Sequence, residues 1–220
     1  MPMSPSSRRA WAEIDLSVIA QNVRSLQTHL QAPTQILAVV KADAYGHGAI
    51  EVSQTALEAG ATWLGVATVA EGVQLREAHI NAPTLLLCNP APDEFEAVLH
   101  YRLTPMIGDF LTLQTFVQEA DRLSTPRNTL PVHIEVDTGM GRAGVLPQDA
   151  PLLYHEMVRL GVRVDGLAMH FPDADGNDLT STFQQQARFH ETRDTLEAQG
   201  AKFDWVHLSN SAATLRLNHS

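Results

Sequence analysis

Residues 131–137 read PVHIEVD and alternate without a break: Val132, Ile134 and Val136 form one apolar face, His133, Glu135 and Asp137 the other. A period of two marks a β-strand whose faces meet different surroundings. Strands of an open sheet covered by helices on both sides are apolar on both faces. Helices outside and a polar site inside describe a barrel strand instead, and this stretch therefore predicts a barrel.

Outward from it, short apolar runs alternate with helical patterns. Strands are predicted near Ile36–Val40, Trp63–Ala67, Thr84–Leu87, Thr104–Ile107, Val132–Val136, Val164–Met169 and Trp205–Leu208. Helices are predicted near Ala49–Ala59, Glu71–Ala78, Asp93–His100, Phe110–Leu123, Ala150–Leu160 and Thr182–Gln199. Single helices between successive strands imply parallel βα units. No Gly-x-Gly-x-x-Gly turn supports a dinucleotide-binding sheet. The expected fold is α/β, a (β/α)8 TIM-type barrel forming one domain over residues 10–220. Seven repeat strands can be counted where eight are needed, and such barrels typically take ~250 residues, so the 220-residue sequence reads as an incomplete one. Ala10–Leu16 alternates like a further strand, and Leu16, Ile19, Val23, Leu26 and Leu30 then follow helical spacing, with Asp15 as N-cap. Residues 1–9 carry Arg8-Arg9 with no apolar stretch behind them, and read as a flexible tail, neither signal peptide nor membrane anchor.

Lys and Arg number 15 against 25 Asp and Glu, a net charge of -10, which argues against a nucleic-acid partner. Cys88 is the only cysteine, excluding an intramolecular disulfide or a Cys-cluster metal site and fitting a cytoplasmic location. Ending an apolar strand, it is expected to be a packed thiol. His79 and His100 fall at helix C-termini, where they complement the dipole.

The remaining polar candidates collect at the carboxyl ends of the strands, where barrels build their sites. Lys41 follows an apolar run. Desolvation there favours the neutral, nucleophilic amine of Schiff-base chemistry, and the alternative is a lysine that snorkels to solvent. Tyr45-Gly-His-Gly48 opens a helix and offers backbone N–H groups to an anion, or is simply a turn. Asp137–Gly144 carries three glycines around Arg142, suited to bidentate recognition of carboxylate or phosphate, or is an ordinary loop. His170 follows the small residues Gly166 and Ala168, which leave room inside the barrel. His170 with Asp173 and Asp175 raises a divalent metal, but no second ligand cluster supports one.

Four motifs in order, AVVKADAYGHGA (38–49), VDTGMGRAG (136–144), GLAMHFPDADG (166–176) and HLSNSAA (207–213), closely resemble the N-terminal barrel of the bacterial alanine racemases. The opening AWAEIDLSVIAQNVRSL (10–26) resembles that family's start. The resemblance implies an enzyme dependent on pyridoxal phosphate (PLP) that interconverts L- and D-alanine and supplies D-alanine for peptidoglycan. It implies that Lys41 carries PLP covalently and then serves as one of two bases. By the same implication Tyr45 and Ser211, with Asn210 beside it, hold the phosphate, Arg142 meets the cofactor's phenolic oxygen and the substrate, and His170 lies against the pyridine ring. His207 would support an arginine of an eighth strand, and a tyrosine from the partner subunit's C-terminal β domain would be the second base of a homodimer. Neither element is in this sequence. Glu135 departs from the family, where a lysine that is carbamylated in some members stands two residues before the aspartate. Here Glu135 would supply the carboxylate directly to Arg142, or pair with another buried group. Two other readings stand beside the racemase: a PLP-binding module or inactive fragment without racemase activity, and a cofactor-free Schiff-base aldolase, which leaves the phosphate-directed residues unexplained.

Overall fold

Seven parallel strands lie side by side in the order in which they occur in the chain, β1 to β7. They are β1 (Leu37–Val39), β2 (Trp63–Val66), β3 (Thr84–Leu86), β4 (Thr104–Ile107), β5 (Pro131–Glu135), β6 (Arg163–Ala168) and β7 (Trp205–His207). The computed structural model describes residues 10–217, so the tail expected over residues 1–9 lies outside them. The helices are α1 (Leu16–His29), α2 (Lys41–Gly46), α3 (Ala49–Glu58), α4 (Val69–Glu77), α5 (Phe95–His100), α6 (Phe110–Arg122), α7 (Ala150–Arg159), α8 (Thr180–Ala198) and α9 (Ser211–Arg216). Apart from α2 and α9, which were not predicted, and the strand expected at Ala10–Leu16, which is absent, the elements lie within about two residues of their expected ends.

Strand alternation sorts the side chains into two layers. Leu64, Leu86, Ile107, Ile134 and Leu167 are fully buried against the helices, each stabilising the fold by roughly 1.5–3 kcal/mol relative to an exposed position. Trp63, Leu85, Met106 and Ala168 form a separate cluster with Leu37, Leu87 and Trp205 on the concave face. The polar face of β5 joins that concave layer: the His133 ring lies 5.4 Å from Trp63. A sheet with helices on one face only is the half-barrel that the alternation of residues 131–137 called for. β1 pairs with β2 and β7 with β6, and no pairing joins β7 to β1 among the described residues. Val39 and Val206 are accordingly 37% and 40% exposed at the two edges.

Two expectations are corrected. Ala10–Asp15 forms no strand; the Asp15 carboxylate accepts from the Ser17 and Val18 N–H groups and starts α1, which packs on α3 through Val23, Ala56 and Ala59. Cys88 is not packed but exposed, because β3 ends at Leu86 and the chain has left the sheet before the thiol is reached.

Candidate active site at the carboxyl ends of the strands

Val40, 1% exposed, donates its N–H to the Gly65 carbonyl at 2.8 Å. Lys41 therefore emerges, half-buried, from a point fixed by the pairing of β1 with β2. The chain then does something composition does not suggest: Ala42, Asp43, Ala44 and Tyr45 take φ of 51°, 54°, 50° and 55°, one turn of left-handed helix inside α2. An L-residue costs roughly 1–2 kcal/mol in that region, so the turn persists through contacts that over-determine it. The Ala42 N–H donates to Glu71 Oε1 at 2.7 Å, the Ala44 N–H to the Val40 carbonyl at 2.9 Å and the Gly48 N–H to the Asp43 carbonyl at 3.0 Å. Asp43 Oδ1 accepts the Ala49 N–H at 2.7 Å, so the N–H groups of both Gly48 and Ala49, expected to be open to an anion, are already taken. Tyr45, 61% exposed, projects from the end of the turn.

Arg142 is presented by a loop that Asp137 builds. Its carboxylate accepts the Gly139 N–H at 2.9 Å and the Gly141 N–H at 3.0 and 3.1 Å. The loop closes where Val145 rejoins Val136 in a single bridge. Gly144, at φ 104°, lies where a Cβ would meet the Asp137 nitrogen at 2.8 Å, and a Cβ on Gly108 would come within 2.5 Å of the Gly144 Cα. The glycines are thus a packing requirement that leaves Arg142 exposed at the tip.

Charge ties the site together. Burial lowers the His170 pKa, and the positive charges of Arg142 and Lys41 lower it further, so groups following β1, β5 and β6 converge on one imidazole. Glu135 is 4% exposed and its Oε2 has no partner. Burial raises its pKa, the Arg142 charge opposes that rise, and Asp137 adds to it. Arg142 acts on Glu135 through charge alone, with no hydrogen bond between them. Beneath, His133 Nδ1 and His207 Nε2 lie 2.8 Å apart. Asn210 uses both ends of its amide on the fold: Oδ1 caps α9 through the Ala213 N–H at 3.0 Å, and Nδ2 donates to the Phe171 carbonyl at 3.1 Å. Ser211 follows, exposed at the start of α9, and no hydrogen bond joins it to Tyr45.

Sequence reasoning missed Glu71 and Asp43 as builders of this site, and placed His133 on the inward polar face without giving it a role. Thr68-x-x-Glu71 is a capping-box spacing that could have flagged the first, since α4 does begin there. A cleft of about 620 Å³ between the Asp137–Gly141 loop and α8 is lined by Arg188, Glu191 and Thr192 among others. It lies behind the Arg142 loop and includes none of Lys41, Tyr45 and His170. No cluster of three or more metal-ligating side chains occurs among the described residues.

A curled parallel α/β sheet with a lysine, an arginine and an imidazole gathered at its carboxyl ends is a barrel-type domain carrying its chemistry on strand-end loops. More closely, the chain belongs to the alanine racemase family: residues 14–220 match the family's N-terminal domain. An alanine racemase of Synechocystis sp. is 43% identical over 210 residues, 94% of this chain and 56% of that protein. The alanine racemase of Clostridium difficile 630 in complex with cycloserine superposes with a TM-score of 0.90 at 31% identity, covering 96% of this chain and 58% of that one. That of Bacillus anthracis with bound L-Ala-P gives 0.87 at 32%, covering 98% and 55%. The chain thus spans a little over half the length of the relatives it matches.

Proposed function

We propose that this chain is the PLP-binding part of an alanine racemase, acting in the cytoplasm and completed by further structure into an active homodimer. The observation that carries the reading is the match of residues 14–220 to the alanine racemase N-terminal domain, supported by Lys41 and Arg142 lying near enough to half-buried His170 for their charges to lower its pKa. Two cations near a neutral ring suit an anionic cofactor better than a cationic one, and the exposed hydroxyls of Tyr45 and Ser211 at two turns suit a phosphate. When bound, PLP supplies the electron sink that makes a Cα proton removable. Lys41 holds the cofactor and, once released, its amine takes or returns a proton on one face of the substrate. Arg142 orients the substrate and cofactor oxygens by its charge, and Glu135 keeps that charge in place. His170, held neutral, packs on the ring.

Racemisation needs a second proton-transfer group on the other face. Tyr101 caps the end of α5 and Tyr154 lies within α7 against Phe203, both outside the concave face, and Tyr45 is taken by phosphate. The tyrosine that the family resemblance implies as second base is therefore taken to come from outside the described residues. Because the chain covers only 56% of a relative such as the Synechocystis protein, a PLP-binding module without racemase activity is the second reading.

Incubation with PLP should give visible absorbance, and borohydride should fix the cofactor to the peptide bearing Lys41. Label elsewhere, or undiminished label in Lys41→Ala, refutes cofactor attachment. Racemisation of alanine, measured after adding the remaining half of a relative, separates the racemase from the module.

A further inference from the structure

We propose that Glu71 is a positioning residue that sets Lys41, by clamping the left-handed turn onto the first turn of α4; this rests on Lys41 being the cofactor lysine. In an ordinary capping box, the carboxylate at the third helical position reaches back to the N-cap backbone. Here Oε2 alone does that, accepting the Thr68 N–H at 3.1 Å and the Ala67 N–H at 2.7 Å, while Thr68 Oγ1 accepts the Glu71 N–H at 3.2 Å. Oε1 is left over, and it accepts the Ala42 N–H at 2.7 Å. Ala42 is the residue next to Lys41 and the first with positive φ, at 51°.

One side chain thus joins the loop after β1 to the loop after β2, at the point where the backbone turns left-handed. No other side chain receives a backbone N–H from the stretch 41–45 among the described residues; Asp43 acts at the far end, on Ala49. Only a carboxylate can do this. Glutamine offers one acceptor oxygen, and its amide would present N–H against N–H on one side. Without the Ala42 bond the backbone after Lys41 relaxes toward right-handed conformations, which swings the amine away from Arg142 and His170.

The test is Glu71→Gln in the 220-residue chain, read first without cofactor by amide hydrogen exchange. Loss of one charge-assisted bond predicts roughly tenfold or more faster exchange in a 41–48 peptide, with β2 and β3 unchanged. PLP should then bind about tenfold more weakly, and borohydride labelling of Lys41 should fall in step. Thr68→Ala weakens the same cap without touching Ala42; it should speed exchange in α4 but leave 41–48 and PLP affinity as they were. Ala42→Gly added to Glu71→Gln relieves the positive φ at the clamped residue itself and should restore at least half of the labelling, and this double variant also serves where Glu71→Gln alone does not fold. Unchanged exchange at 41–48 in Glu71→Gln, an equal loss in Thr68→Ala, or no rescue by Ala42→Gly overturns the proposal. A wild-type chain that takes no label at Lys41 refutes the cofactor reading instead, and exchange still decides whether Glu71 holds the turn.

Discussion

His133 on β5 reaches across β6 to His207 on β7, nitrogen to nitrogen at 2.8 Å, and it can do so only because residue 166 has no side chain. A Cβ on Gly166 would stand 2.3–2.5 Å from three atoms of the His133 ring. Gly166→Ala should therefore displace the ring and break the pair. Overpacking of this kind costs roughly 1–3 kcal/mol, to be seen as a lower urea midpoint with an unchanged slope. An unchanged midpoint would mean that the ring has room the structure does not show.

The same pair makes stability depend on pH. Both imidazoles are neutral in the fold: burial and the neighbouring ring hold His133 well below its ordinary value, and burial pushes His207 down to about 4. Because His133 Nε2 has no partner, the less costly tautomer keeps the hydrogen on Nδ1, which donates to His207 Nε2. In the unfolded chain both titrate near 6.5. Their contribution is thus fully present above that value and is lost as pH falls below it, for His207 down through about 4. Each group contributes a slope of ~1.4 kcal/mol per pH unit. Urea titrations between pH 7 and 4.5 should show stability falling toward acid, and His207→Gln should flatten that fall whatever it does to absolute stability.

The half-barrel was legible because its causes are local: apolar runs at strand length, helical spacing between them, and the alternation around Ile134. The concave polar face followed from the same alternation. The left-handed turn was not legible. Ala42, Asp43, Ala44 and Tyr45 include no glycine, the usual residue for positive φ, and one of the contacts that hold them comes from a carboxylate 29 positions from Ala42 in sequence. Gly166 was seen as room, but not as room for His133. Cys88 was misplaced by extending an apolar run beyond the strand that it forms.

Glu135 obeys the opposite rule to the histidines. Burial raises its pKa above the ordinary 4.5, only partly countered by Arg142. Its protonated form suits the fold, so its stabilising share is complete below about 4.5 and is lost as pH rises through the raised value. Glu135→Gln keeps the shape and removes the titration. The variant should gain on the wild type as pH rises from 4.5 to 8, in paired urea unfolding at several pH values. Once PLP is offered it should also bind more weakly at pH 8, since Arg142 has lost its buried counter-charge. A constant difference across that range would show that Glu135 is ionised in the fold at little cost.

The loop that carries Arg142 gives the last prediction, because Arg142 is itself a tryptic site. The Asp137 carboxylate receives the N–H groups of Gly139 and Gly141, and no other side chain accepts a backbone donor of that loop among the described residues. Asp137→Ala removes all of these contacts, while the Val136–Val145 bridge and the glycine contact between Gly108 and Gly144 keep the loop's base closed. Opening should therefore be local. A lost charge-assisted hydrogen bond is worth ~1.5–3 kcal/mol, or roughly 10- to 150-fold in an opening equilibrium, and the solvent-exposed position of these bonds favours the lower end. Trypsin should cut after Arg142 about tenfold faster in Asp137→Ala, with the urea midpoint lowered far less than that factor would require of global unfolding. Equal cleavage rates in the two proteins would show that the glycine packing alone orders the loop, and that the aspartate before Thr-Gly-Met-Gly-Arg serves some other purpose.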